Sequence, residues 1–297
     1  MSKESSSARV RSQLDHPVID ADGHIVEFLA PLEDYVREIG GSRYSVQVFN
    51  AHKRFPGDSD SDRAFRGTIR PPWWGLPTEN TLDRATAALP ALLYERMGDI
   101  GLDYTVLFTT MMGALVLREG ASLAECMADP EVRRIRSRAA NAYRADLCRE
   151  FADRMTPAAD VSMTTPEEAI ADLEHATGEL GLKVISIMAV PRPIPEVQRD
   201  HPEIFERVGF LGSVGYALDT FGIDSPYDYD PFWQRCVDLK VPIFLHGPGM
   251  GWTARSSPSN YMYNHIGHFA EAGEAVCKSL FFGGVTRRFP ELRFGFL

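Results

Sequence analysis

Three side chains able to hold a metal ion, Asp20, Asp22 and His24, crowd into the stretch VIDADGHIVE at residues 18–27, with Glu27 close behind. The Val and Ile residues around them read as a β-strand, where apolar side chains pack better than carboxylates. Taking a polar group out of water without a partner costs about 2–7 kcal/mol, so a bound cation is the direct explanation for the cluster. Alternate strand residues share a face, which predicts Asp20, Asp22 and His24 on one side and Ala21, Gly23 and Ile25 on the other. Asp22 and His24, nearest the C-terminal end, form the expected ligand pair, and Asp20 is expected to be structural. Glu27 has two readings, an acceptor supporting the histidine or a solvent-facing residue at a helix start.

A second metal-capable group stands at His246, which ends the apolar run VPIFLHG (241–247) before a Gly-Pro-Gly turn. One histidine after a strand is commonly a packed core residue. Two strands that each end in a metal-capable group make a shared ligand set. His265 and His268 in YNHIGHFAEAGEA are three apart, the spacing of one helix face. The pair could supply a metal ligand, a substrate contact or a proton carrier, with His268 and His246 the candidates for proton transfer and His265 for substrate contact; exposed positions at a helix start are the other reading. In FRGTIRPPWWGLP, Arg66 and Arg70 offer bidentate pairing to a carboxylate, and Trp73 and Trp74 offer stacking faces. That composition predicts a substrate-binding lid, or else a loop pinned down by its tryptophans.

These groups need a frame. Apolar runs at 18–26, 104–110, 156–163, 184–190, 241–247 and 292–297 read as strands. Helix-period segments lie between them, several with start signals such as Thr165-Pro166-Glu167-Glu168 and Asp230-Pro231. This alternation predicts βαβ units and a TIM-type (β/α)8 barrel over residues 17–297, truncated after its sixth strand. A dinucleotide-binding sheet is disfavoured because no GxGxxG follows the first strand. Residues 1–16 are expected to be a disordered tail without the apolar core of a secretory signal. Long excursions at 41–80 and 191–228 are expected to be functional lids or disordered segments.

Composition narrows the function. A formal charge of −10 argues against a nucleic-acid surface. No apolar run approaches the roughly 18–20 residues of a membrane span. The four widely spaced cysteines, with no CxxC pair, read as reduced thiols of a cytoplasmic protein.

IDADGHIVE, MGDIGLDYTVLFTT, DPFWQRCVDLKVPIFLHG and GGVTRRFPELRFGFL, in that order, resemble the amidohydrolase-related family that includes amino-carboxymuconate-semialdehyde decarboxylase and γ-resorcylate decarboxylase. The resemblance implies a metal-dependent barrel with one divalent ion held by a first-strand HxH or ExH pair, a fifth-strand histidine and an eighth-strand aspartate. It maps Asp22, His24 and His246 onto the first three ligand positions. Asp22 stands where histidine or glutamate is usual, which tilts the choice of ion slightly from Zn2+ toward Mn2+ or Mg2+ and leaves Zn2+ open. The family's sixth-strand acid/base and eighth-strand aspartate are expected beyond Leu297.

The resulting expectation is a non-oxidative decarboxylase of a small aromatic or unsaturated carboxylic acid, and a homodimer. Hydrolysis of a C–N or C–O bond at the same centre is the alternative. A catalytically inactive truncated barrel that serves as a binding or assembly protein is the third reading.

Overall fold

The computed structural model describes residues 5–48, 59, 61, 80–110, 114–121, 123–203, 215–246, 257 and 259–297. The chain opens with α1 (Ser6–Arg11), β1 (Ile19–Ile25), α2 (Leu29–Gly40) and β2 (Tyr44–Val48). It continues through α3 (Thr81–Thr86), α4 (Pro90–Ile100), β3 (Tyr104–Thr109), β4 (Ala114–Arg118), α5 (Leu123–Ala128), α6 (Pro130–Cys148) and β5 (Met155–Asp160). Next come α7 (Pro166–Glu174), β6 (Val184–Ile187), β7 (Val190–Pro193), α8 (Pro195–Asp200) and β8 (Tyr216–Asp219). The last elements are α9 (Asp230–Leu239), β9 (Ile243–Leu245), α10 (Tyr261–Phe282), α11 (Val285–Arg288) and β10 (Phe294–Phe296).

Each of the six apolar runs becomes a strand of one sheet, in the order β1-β3-β5-β6-β9-β10. The pairs β1–β3, β3–β5 and β9–β10 are parallel. Every strand of that sheet neighbours the next one in sequence, as in a (β/α)8 barrel, whereas a dinucleotide-binding sheet reverses its order midway. Two antiparallel ribbons, β2–β4 and β7–β8, were not expected; their strands are short, and β7 carries two prolines.

Contacts gather the described residues into two compact units, one drawn from 1–48, 74–160 and 174–185, the other from 49–73, 161–173 and 186–297. In the first, Leu32 and Val36 of α2, Tyr44 of β2, Val116 of β4 and Val132, Ile135, Ala139 and Tyr143 of α6 form an apolar cluster. Burying each large aliphatic side chain there contributes about 1.5–3 kcal/mol. Met97, Leu107, Cys148 and Met155 form a second cluster beside β3 and β5.

In the second unit, Trp233 and Phe232 of α9 are fully buried, and Trp233 meets Phe294 edge-on at 5.9 Å. The β7–β8 ribbon is held by Arg192, whose Nε and Nη2 donate to Asp219 Oδ2 at 2.9 and 2.7 Å while Nη1 donates to the Thr164 carbonyl. All four cysteines are free; Cys126, Cys148 and Cys236 are buried and Cys277 is exposed. Burial pushes the Cys148 and Cys236 thiols up to about 12.

One expectation needs correction. Residues 6–11 form a helix rather than disordered chain. Ser5 caps it by accepting from the Ala8 amide and donating to the Asp99 carbonyl, and Arg11 pairs with Asp103. No residue of α1 is buried, so these polar contacts with residues some 90 positions away left no apolar pattern to read. The segment TLDRATAALPALLYERMGDIG forms two helices, because Pro90 pushes Leu89 out of the helical region (φ −120°, ψ 104°) and starts α4 itself.

β1 departs from ideal alternation. Its register with β3 shifts between Asp20 and Gly23, where one extra residue enters. Asp20 Oδ1 accepts from the Asp22 amide at 3.0 Å, so a side chain satisfies a backbone group inside the bulge. A Cβ on Gly23 would stand 2.3 Å from Thr105 Oγ1, 2.8 Å from the Val106 carbonyl oxygen and 3.0 Å from Asp20 Oδ2. Asp20 therefore lies on the side of Gly23, correcting the prediction that it shares a face with Asp22 and His24.

After α7, residues His175–Glu179 continue as a π-turn. His175 Nδ1 is buried with no hydrogen-bond partner, and Nε2 lies 3.7 Å from Glu179. Burial first, then Arg138, hold the His175 pKa below its ordinary 6.5, with Glu179 opposing and Arg134 adding to the shift.

Gly23→Ala is expected to destabilise the fold by about 1–3 kcal/mol in urea unfolding, because backbone oxygen at Val106 cannot move aside as a side chain would. At His175 the unfolded chain takes up a proton before the folded chain does as pH falls. Its stabilising contribution is therefore complete above pH 6.5 and is lost as pH drops toward the folded-state value. Urea midpoints measured at several pH values across this range should fall less steeply toward acid for His175→Gln than for the parent chain.

Candidate metal centre

The bulge sets the phase of β1 so that Asp22 and His24 follow it at the strand's C-terminal end. His24 pairs with Phe108 of β3 in the register, and the two rings lie 6.1 Å apart. His24 Nδ1 is 3.0 Å from the Asp22 carbonyl oxygen. A carbonyl only accepts, so Nδ1 carries the proton and the neutral ring offers its lone pair at Nε2, the tautomer that a metal needs.

His246, one residue past β9, is 5% exposed. Asp22, His24 and His246 each present one ligand atom, and these atoms all lie within 4.8 Å of one another. Donors about 2.0–2.2 Å from a common ion stand roughly 3–4 Å apart, so these three atoms could serve one ion. One carboxylate oxygen with two imidazole nitrogens suits Mn2+ or Zn2+ better than Mg2+, which favours oxygen throughout.

Glu27 resolves into neither of its expected roles. It is 8% exposed, and its Oε2 takes the Thr110 amide at 3.1 Å and approaches Thr110 Oγ1 at 3.0 Å. Thr110 Oγ1 also lies 2.9 Å from the Ile25 carbonyl oxygen. These contacts fasten the outlet of β1 to the outlet of β3 and keep the chain beyond His24 in place. The Phe28 amide donates to Tyr143 Oη at 3.3 Å, and burial raises that phenol's pKa. Thr110 gave no sequence signal, because a threonine at a strand end is ordinary.

Arg66, Arg70, Trp73 and Trp74 lie outside the described residues. His265 and His268 fall on α10, with their side chains outside the described set. No helix among the described residues is long and apolar enough to cross a membrane.

Comparison with known proteins fits this geometry. The amidohydrolase family model matches residues 19–296. Decarboxylase orsB of Emericella nidulans is 25% identical over 152 residues, covering 46% of this chain and 44% of that protein. An amidohydrolase from Mycobacterium avium subsp. paratuberculosis superposes with a TM-score of 0.58 at 19% identity, over 95% of this chain and 72% of the other. A 5-carboxyvanillate decarboxylase from Novosphingobium aromaticivorans, solved with manganese and 4-hydroxy-3-methoxy-5-nitrobenzoic acid, gives 0.50 at 18% identity, over 95% and 65%. The chain thus spans less than half the length of the curated relative and 65% of that decarboxylase. A family model matched across residues 19–296, over a sheet whose strands follow in barrel order, places the chain in the amidohydrolase family.

Proposed function

We propose that the protein is a metal-dependent, non-oxidative decarboxylase of a small aromatic or unsaturated carboxylic acid. The convergence of Asp22, His24 and His246 carries this reading. Two relatives named as decarboxylases support it, one of them holding manganese and a substituted hydroxybenzoic acid.

An ion at this centre, Mn2+ or Zn2+ with Mg2+ less suited, would act as a Lewis acid toward the substrate's carboxylate or a neighbouring oxygen. The remaining chemistry belongs to the protein. The Asp22 carbonyl fixes the His24 tautomer, and Asp22 supplies the negative charge that favours a cation. Loss of CO2 breaks the bond between ring and carboxyl carbon and leaves the electron pair on the ring carbon, which takes one proton. His246 and His268 are the proposed carriers of that proton, with His265 in contact with substrate. Arg66 and Arg70 are proposed to pair with the substrate carboxylate, and Trp73 and Trp74 to cover the ring. The protein is proposed to work as a cytoplasmic homodimer.

Elemental analysis of the dialysed protein should find about one Mn or Zn per chain, lost in the Asp22→Ala/His246→Ala double variant. Supplying the metal and a panel of aromatic acids should then release CO2 from at least one of them. Equal metal in parent and variant would remove the assigned site, and a metal-loaded chain that releases no CO2 would remove the reaction.

A further inference from the structure

β5 ends at Asp160, and α6 lays two side chains against it. Asn141 Nδ2 donates to the Asp160 carbonyl at 2.9 Å, while Asn141 Oδ1 accepts from the Asp160 amide at 2.8 Å. A side-chain amide here does what a neighbouring strand would do. Arg144 donates from Nη2 to Asp160 Oδ2 at 2.8 Å and to Asn141 Oδ1 at 2.9 Å, and from Nε to the Ala140 carbonyl at 3.1 Å. Its side chain is 2% exposed, whereas that of Asp160 is 40% exposed.

Burying a guanidinium is costly unless its geometry is well satisfied, and ending a strand does not call for one. The arrangement anchors one carboxylate oxygen, Oδ2, on a buried cation, while the Asp160 side chain as a whole stays 40% exposed. Arg144 matches the charge of Asp160, and Arg136 lies within Coulombic range of it, so the outlet of β5 tolerates an anionic ligand. Asp160 stands at the C-terminal end of its strand, the end where barrels bind ligands. β5 is two strands from β1, about 10 Å, a distance bridged by a substituted benzoate together with its contacts at each end.

We propose that Asp160 is a specificity residue, whose second oxygen, Oδ1, accepts a hydrogen bond from a ring hydroxyl of the aromatic acid. Asn141 and Arg144 act through it as positioning residues. The proposal rests on the aromatic-acid reading above. An ionised carboxylate accepts and does not donate, so a hydroxyl is favoured and a methoxy group, which has no proton to give, is disfavoured. In Asp160→Asn the amide oxygen stays with Arg144 and the NH2 group takes the place of Oδ1, turning an acceptor into a donor.

The test measures calorimetric binding of benzoate, 3- and 4-hydroxybenzoate and their methoxy counterparts to the Mn2+-loaded protein. The parent should prefer at least one hydroxybenzoate over its methoxy analogue by about tenfold. Asp160→Asn should lose that preference, read as the ratio of hydroxybenzoate to methoxybenzoate affinity. Asp160→Glu, which keeps the charge and moves the oxygens outward, should alter which hydroxy isomer is preferred, and covers the case in which the amide variant does not fold. No preference in the parent, or one that survives in Asp160→Asn, would overturn the proposal. An intact preference without CO2 release from any acid would leave Asp160 its role and remove the decarboxylase reading alone.

Discussion

The centre depends on one extra residue in β1. In an unbroken strand the amide of Asp22 would belong to the ladder, and Asp20 would share a face with Asp22 and His24. The bulge removes that regularity, and Asp20 supplies the compensation by accepting from the Asp22 amide. Gly23 completes the device, since the space a side chain would need is taken by Thr105, the Val106 carbonyl and Asp20 itself. Local irregularity thus aims the two candidate ligands, while the ladder on either side keeps the strand rigid.

The fold repeatedly secures strand outlets with buried polar groups. Glu27 and Thr110 fasten the outlets of β1 and β3, Asn141 and Arg144 hold that of β5, and Arg192 with Asp219 closes the β7–β8 ribbon. Asp219 is almost wholly buried, yet it is anchored by a guanidinium and accepts from the Phe221 amide. The partners of these carboxylates are hydrogen-bond donors in fixed places, which limits the cost of desolvating them. Removing one member of such a pair leaves the other as a buried, uncompensated group. A position of this kind is therefore constrained in charge as well as in size.

The fold was largely legible because its strands are apolar runs separated by helices with plain start signals. Pro166 and Pro231 lie at helix beginnings, and the glycine pairs at 40–41 and 283–284 lie at helix ends, with Gly41 and Gly284 at positive φ. The metal-ligand candidates were legible because carboxylate and histidine side chains are out of place in such strands. What escaped was fixed by contacts distant in sequence. Helix α1 has no apolar face, the β1 bulge depends on Thr105 and Val106 of β3, and the support of Asp160 comes from Asn141 and Arg144 on a preceding helix. Neither ribbon had a turn signal between its strands, since β2 and β4 are separated by some 65 residues.

The cysteines offer a way to watch this molecule open. Three thiols are enclosed, two of them held protonated far above neutral pH, while Cys277 stands in solvent on α10. A thiol-reactive label added at neutral pH meets one target on the native chain, and the other three only when their surroundings part. Because Cys148 borders β3 and β5 while Cys236 lies on α9, the order of labelling reports which unit of the molecule loosens first.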